Sequence, residues 1–179
     1  MTMQDTAGAP PRRLIVVAAV VAVILAAGIA VAGIFARSGG QPGTGPLALP
    51  SVPAPEAGSP ECATLLGALP LELTSGGTTL VRRELAAPAP AATVAWGEQE
   101  TVVLRCGLER PPELTPTSQL RVVSGVQWLP VLGDGSTTWY VVDRPVYVAL
   151  TVPGSVGTGP LQDVSGAVAT KLPPQPLRF

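Results

Sequence analysis

From Leu14 to Phe35 the chain reads LIVVAAVVAVILAAGIAVAGIF, with no charge, no proline and no strongly polar side chain. About 22 residues rising about 1.5 Å each reach roughly 33 Å as a helix, enough for a hydrocarbon core of about 30 Å. The segment is apolar all round rather than striped, which fits a bilayer span better than a buried core helix. Arg12 and Arg13 stand before it and only Arg37 follows closely. That positive excess predicts a cytoplasmic tail over 1–13, a single transmembrane helix over 14–35 and an exported remainder. Ala30-Val31-Ala32 also has the small-x-small form of a signal-peptidase site, so a secreted protein cut near Ala32 is the alternative topology. Either way the domain leaves the cytoplasm.

Residues 36–60 lose the apolar periodicity and fill with Pro, Gly, Ala and Ser, a composition that reads as a flexible tether. The pattern resumes at Ser59-Pro60-Glu61, which has the form of a helix start: Ser as N-cap, Pro at the first helical position, an acid in the first turn. Cys62, Leu65, Leu66 and Leu69 then share one face, and Pro70 ends the run. Short segments rich in Val, Thr and aromatics follow between Gly, Pro and Asp breaks. They predict strands over 78–85, 91–96, 101–108, 120–123, 126–132, 137–144 and 147–152. Gly97-Glu98, Ser124-Gly125 and Asp134-Gly135 are hairpin candidates, Asp-Gly being the strongest type I′ signal. Leu161, Val164, Val168 and Leu172 recur at spacings of three and four and predict a closing helix over 161–171. The domain over 61–179 is therefore expected to be α+β, a mainly antiparallel sheet with an N-terminal and a C-terminal helix.

Along the strand from Thr101, a period of two places Val102, Leu104, Cys106 and Leu108 on the core face and Val103 and Arg105 on the other. The chain has two cysteines. In an exported domain they are expected to pair, Cys62 with Cys106, closing a loop of about 45 residues for about 4 kcal/mol on the chain-entropy model. In a cytosolic protein two free thiols would be the expectation instead.

Composition narrows the chemistry. Eleven Lys and Arg against twelve Asp and Glu give a net charge of -1, too little positive charge for binding a nucleic-acid backbone. The sequence contains no His, which removes the commonest general base near neutral pH and closes Ser-His-Asp, Cys-His and most zinc arrangements. No motif calls for a cofactor or a metal, and Ser75-Gly76-Gly77 lacks the Lys of a phosphate-binding loop.

Five short motifs in fixed order are more specific than any of these features: Ala95-Trp96-Gly97, Leu104-Arg105-Cys106-Gly107, Gly125-Val126-Gln127-Trp128, Val142-Asp143-Arg144, and Tyr147 through Val152-Pro153. Over roughly residues 60–171 the chain resembles the actinobacterial family called domain of unknown function 3515. The resemblance implies a membrane-associated or secreted envelope protein without an assigned reaction. Genes of that family often neighbour one for a D-alanine-D-alanine ligase, a pointer toward the cell wall.

The polar and aromatic members of those motifs are the candidate site residues: Arg105, Asp143 and Arg144, with Trp96 and Trp128, and Trp139 beside them. Each has a structural alternative. Arg105 could pair with Asp143 or another carboxylate across the sheet, a surface contact usually worth about 0 to 1 kcal/mol. Asp143 and Arg144, adjacent on a strand, should point to opposite faces. Trp128 and Tyr140 are placed to meet across a hairpin. Glu98 and Glu100 form only a formal match to an acid/base pair. No catalytic constellation emerges. The expected function is a non-enzymatic binding or accessory module, anchored in the bilayer through Leu14 to Phe35, that contacts an envelope protein or cell-wall polymer. An unrecognised envelope hydrolase or transferase is the alternative.

Overall fold

In the computed structural model, which describes residues 45–179, helix α1 (Pro60–Ala68) begins as its sequence requires. The Ser59 hydroxyl oxygen accepts the Cys62 N–H at 3.2 Å, satisfying one of the donors that a helix start leaves open. Leu69 leaves the helix with extended dihedrals before Pro70, because a proline disfavours helical geometry in the residue ahead of it. The tail over 1–13 and the transmembrane segment expected over 14–35 lie outside the described residues. Among the described residues, no helix is long and apolar enough to cross a membrane.

Eight strands succeed it: β1 (Glu72–Ser75), β2 (Thr78–Arg83), β3 (Thr93–Trp96), β4 (Val102–Leu108), β5 (Arg121–Val123), β6 (Val126–Leu132), β7 (Ser136–Val141) and β8 (Tyr147–Pro153). They form one antiparallel sheet in the order β1-β2-β3-β4-β8-β7-β6-β5. Helix α2 (Gly159–Lys171) closes the chain's secondary structure. The fold is α+β, as the pattern predicts. Leu161, Val164 and Val168 of α2 and Cys62 and Leu65 of α1 pack with Trp96, Leu104, Trp128, Val148 and Leu150 in one core between the helices and the sheet.

Strand β1 is absent from the sequence expectations, and its hairpin turn is the glycine pair considered there as a phosphate loop. Gly76 and Gly77 both take positive φ, 53° and 87°, the requirement of a type I′ turn, and Ser75 pairs with Thr78. Ser124 and Gly125 do the same between β5 and β6, at 48° and 75°. At Asp134-Gly135 only the glycine has positive φ, so the expected type I′ turn there is corrected.

The cysteines are bonded to each other, Cys62 to Cys106, with 5.6 Å between their Cα atoms. This ties α1 to β4 on the helix side. One residue later the strand bulges: Gly107 has φ +81° and the register with β8 shifts between Cys106 and Leu108. An extra residue in a strand turns the residues after it to the other face. Leu108, expected beside Cys106 in the core, therefore pairs with Tyr147 and packs in a second, smaller cluster with Leu114, Leu129 and Val142 on the face away from the helices.

The tether expected over 36–60 is described from Gly45 onward, and there it is held against the sheet. Leu47 bridges Leu85 in parallel, its N–H donating to Glu84 O at 2.9 Å and its carbonyl accepting from Ala86 N at 2.8 Å. Glu56 N donates to Gly107 O at 3.0 Å. A side chain at Gly107 would overlap the Glu56 and Ala57 backbone, so the bulge glycine is what lets this strap cross β4.

Candidate functional site

Of the five candidate residues, the two tryptophans belong to the core. Trp96 and Trp128 are fully buried, and each indole N–H has an internal acceptor: Pro70 O at 3.0 Å and Ser165 Oγ at 2.9 Å. A buried indole requires such a partner, and neither ring has a face left for a ligand. Trp128 stands opposite Val141, while Tyr140 stands opposite Leu129. The expected meeting of Trp128 with Tyr140 is thus corrected; they lie on opposite faces of the sheet. Trp139 is partly buried against the main core.

Asp143 and Arg144 do not alternate across a strand, because β7 ends at Val141 and the chain bends through 142–146 before β8. The bend brings them together, Arg144 Nη1 lying 2.7 Å from Asp143 Oδ2 with side chains 3% and 5% exposed. Arg144 also donates to Asp143 O and, across the sheet, to Gly125 O, both at 3.0 Å. The C-terminal tail closes over the bend. Gln175 N donates to Asp143 O at 2.8 Å, Arg178 Nη2 donates to Pro145 O at 2.9 Å, and the Arg178 guanidinium sits 5.1 Å from the Tyr147 ring centroid. Such a pair, buried and hydrogen-bonded to the β5–β6 turn and the C-terminal tail, organises the fold.

Arg105 stands elsewhere. Register places it in one row with Ala149 of β8 and Tyr140 of β7, and places the next row as Val103, Thr151 and Thr138. All point away from the helices. Ala149 is small, so Arg105 and Tyr140, two strands and roughly 10 Å apart at the backbone, rise as walls on either side of a hollow. Thr138 and Thr151 share a hydrogen bond at 3.1 Å on its floor. The strap, through Val52 and Pro53, and the loop from Glu109 to Pro112 complete the rim of a cleft of ≈ 380 Å³.

Within this cleft Arg105 makes one weak contact, Nη2 to Pro50 O at 3.4 Å, and its Nε is shielded from water without a partner. Among the described residues no carboxylate lies within ion-pair distance of it. The expected cross-sheet pairing with Asp143 is therefore corrected. Burial lowers the Arg105 pKa, opposed by Tyr140, yet an arginine starting so far above neutrality stays charged. Burial, and then Glu113, raise the Tyr140 pKa against the pull of Arg105, so its phenol stays a hydrogen-bond donor at neutral pH. Glu98 and Glu100, by contrast, are exposed at the β3–β4 turn. No group of three acidic or cysteine side chains among the described residues is placed to hold a metal ion.

Sequence reasoning finds Arg105 but misses Tyr140, Thr138, Thr151 and the strap. The alternation is present: Thr138 and Tyr140 flank Trp139, and Ala149 and Thr151 flank Leu150, so a half-polar second face is legible on both strands. The strap is not, since its apolar residues have no period. A family model described as "Protein of unknown function (DUF3515)" matches residues 16–177. No curated protein and no solved structure matches the chain.

Proposed function

The chain belongs to the DUF3515 family of proteins of unknown function, and from that premise we propose that it is a membrane-tethered, non-enzymatic binding module of the cell envelope. The apolar segment over 14–35 is its anchor, the domain lies outside the cytoplasm, and the strap-framed face of the sheet is its binding surface. The observation that carries this reading is Arg105: a charged side chain in a cleft, its guanidinium without an acidic partner among the described residues. Convergent polar groups in a concave, partly apolar site are what ligand recognition uses. The cleft's two threonine hydroxyls are bonded to each other, and no general base is hydrogen-bonded to them among the described residues, which supports recognition over nucleophilic attack.

In-cell photocrosslinking from position 52, inside the cleft, tests this against the same probe at position 132, exposed at the far end of β6. The expected result is a reproducible envelope adduct from position 52 alone, lost with Arg105→Met. Recovery of the same abundant proteins from both positions overturns the reading.

A further inference from the structure

Resting on that reading, we infer that the cleft holds the terminal carboxylate of an extended chain, with Arg105 as its counter-ion and Tyr140 as a second donor. The planar guanidinium fork matches a carboxylate, and hydrogen bonds to an ionised acceptor are roughly twice as strong as neutral ones. Arg105 Nε is shielded, but its terminal nitrogens make only the exposed 3.4 Å contact from Nη2 to Pro50 O among the described residues, which leaves them open to a ligand. Tyr140, kept neutral, faces it across Ala149.

The charge of the site selects the class of anion. Two guanidiniums line the cleft: Arg105, held by one 3.4 Å contact, and Arg110, whose Nη1 is directed at Leu114 O at 3.0 Å while its charge remains. Glu109 lines the cleft, and Glu113 is close enough to raise Tyr140. Two cations set against the two acids leave no net positive charge, a balance that suits a monoanion better than a phosphate dianion. Val52, Pro53 and Pro111 make the adjoining walls apolar, which suits the body of an acyl or peptidyl chain behind the carboxylate.

The strap gives the site a dependence on its own tether. Pro50 O holds Arg105 by a 3.4 Å contact, long for a hydrogen bond, so an incoming carboxylate competes with the strap for the same guanidinium.

Calorimetric titration of the full chain, purified in detergent, separates the alternatives. The probes are N-acetylated alanine tripeptide with a free C-terminus, its C-terminal amide, sodium acetate and inorganic phosphate. The tripeptide acid should bind and the amide should bind at least about tenfold more weakly. Acetate, which has the charge without the chain, should bind more weakly than the tripeptide; equal affinity would mean that the walls read nothing. Arg105→Met should abolish binding with the thermal unfolding midpoint retained, Arg105→Lys should restore it only in part, and Tyr140→Phe should weaken it several-fold. Acid and amide binding alike, phosphate matching the tripeptide, or no heat from any probe overturns the inference. A position-52 envelope adduct that is lost with Arg105→Met, while the tripeptide acid and amide bind alike, would sink this inference and leave the envelope-binding role standing.

Discussion

Asp143 and Arg144 form a buried ion pair whose two members depend on each other. Each is buried, and Asp143 Oδ1 and Arg144 Nε lack partners among the described residues, so the pair holds little reserve. Removing one member leaves the other as an uncompensated buried charge, at a cost of about 3–5 kcal/mol, whereas replacing both by apolar residues of similar volume is often neutral or stabilising. Urea unfolding should therefore show Asp143→Ala and Arg144→Ala each destabilised by about that amount, and Asp143→Leu with Arg144→Met close to wild type. Additive losses in the double variant would mean that the hydrogen bonds to Gly125 O and the Asp143 backbone, rather than the ion pair, hold the bend. Sequence alone places these two residues on opposite faces because it extends β7 to Arg144. Nothing local marks the end of that strand at Val141, since Val142 continues the β-forming pattern. The bend is imposed by packing of Val142 in the second cluster and by the tail beyond α2.

At the scale of elements, β4 shows how much a short stretch can encode and how much of it a sequence reveals. Its alternation correctly predicts Leu104 and Cys106 inside, Arg105 outside and the disulfide to α1. It fails at Gly107, where one inserted residue sends Leu108 to the other face. Leu104-Arg105-Cys106-Gly107 supplies in order a core residue, one of the cleft's two arginines, the staple to α1 and the crossing point of the strap. Hairpins written in glycine, such as Gly76-Gly77, are legible in principle because two adjacent positive φ angles demand that chemistry. The strap is not legible, because Pro-rich composition is shared by free and docked chain alike. Gly107→Ala tests its role. Adding a Cβ at positive φ beneath the Glu56 backbone should cost about 1–3 kcal/mol and, in limited proteolysis, open residues 45–57 to cleavage while β4 through β8 stay protected. Unchanged protection of the strap would show that its anchoring at Leu47 suffices.

Over the whole molecule, one sheet separates two tasks. Its helix face holds the main core and the disulfide, and its other face, framed by strap and loop, holds a cleft whose Arg105 has no acidic partner among the described residues. In sequence the strap lies between the apolar segment over 14–35 and α1, so on the proposed function one stretch of chain would serve both anchoring and recognition. The account stands on the domain lying outside the cytoplasm. The most direct measurement is labelling of intact cells that carry Leu132→Cys with a membrane-impermeant maleimide, Leu132 being 84% exposed. The account predicts full labelling at position 132 before lysis, with Cys62 and Cys106 unreactive until reduced. Labelling only after lysis, or native cysteines that react without reductant, would contradict it.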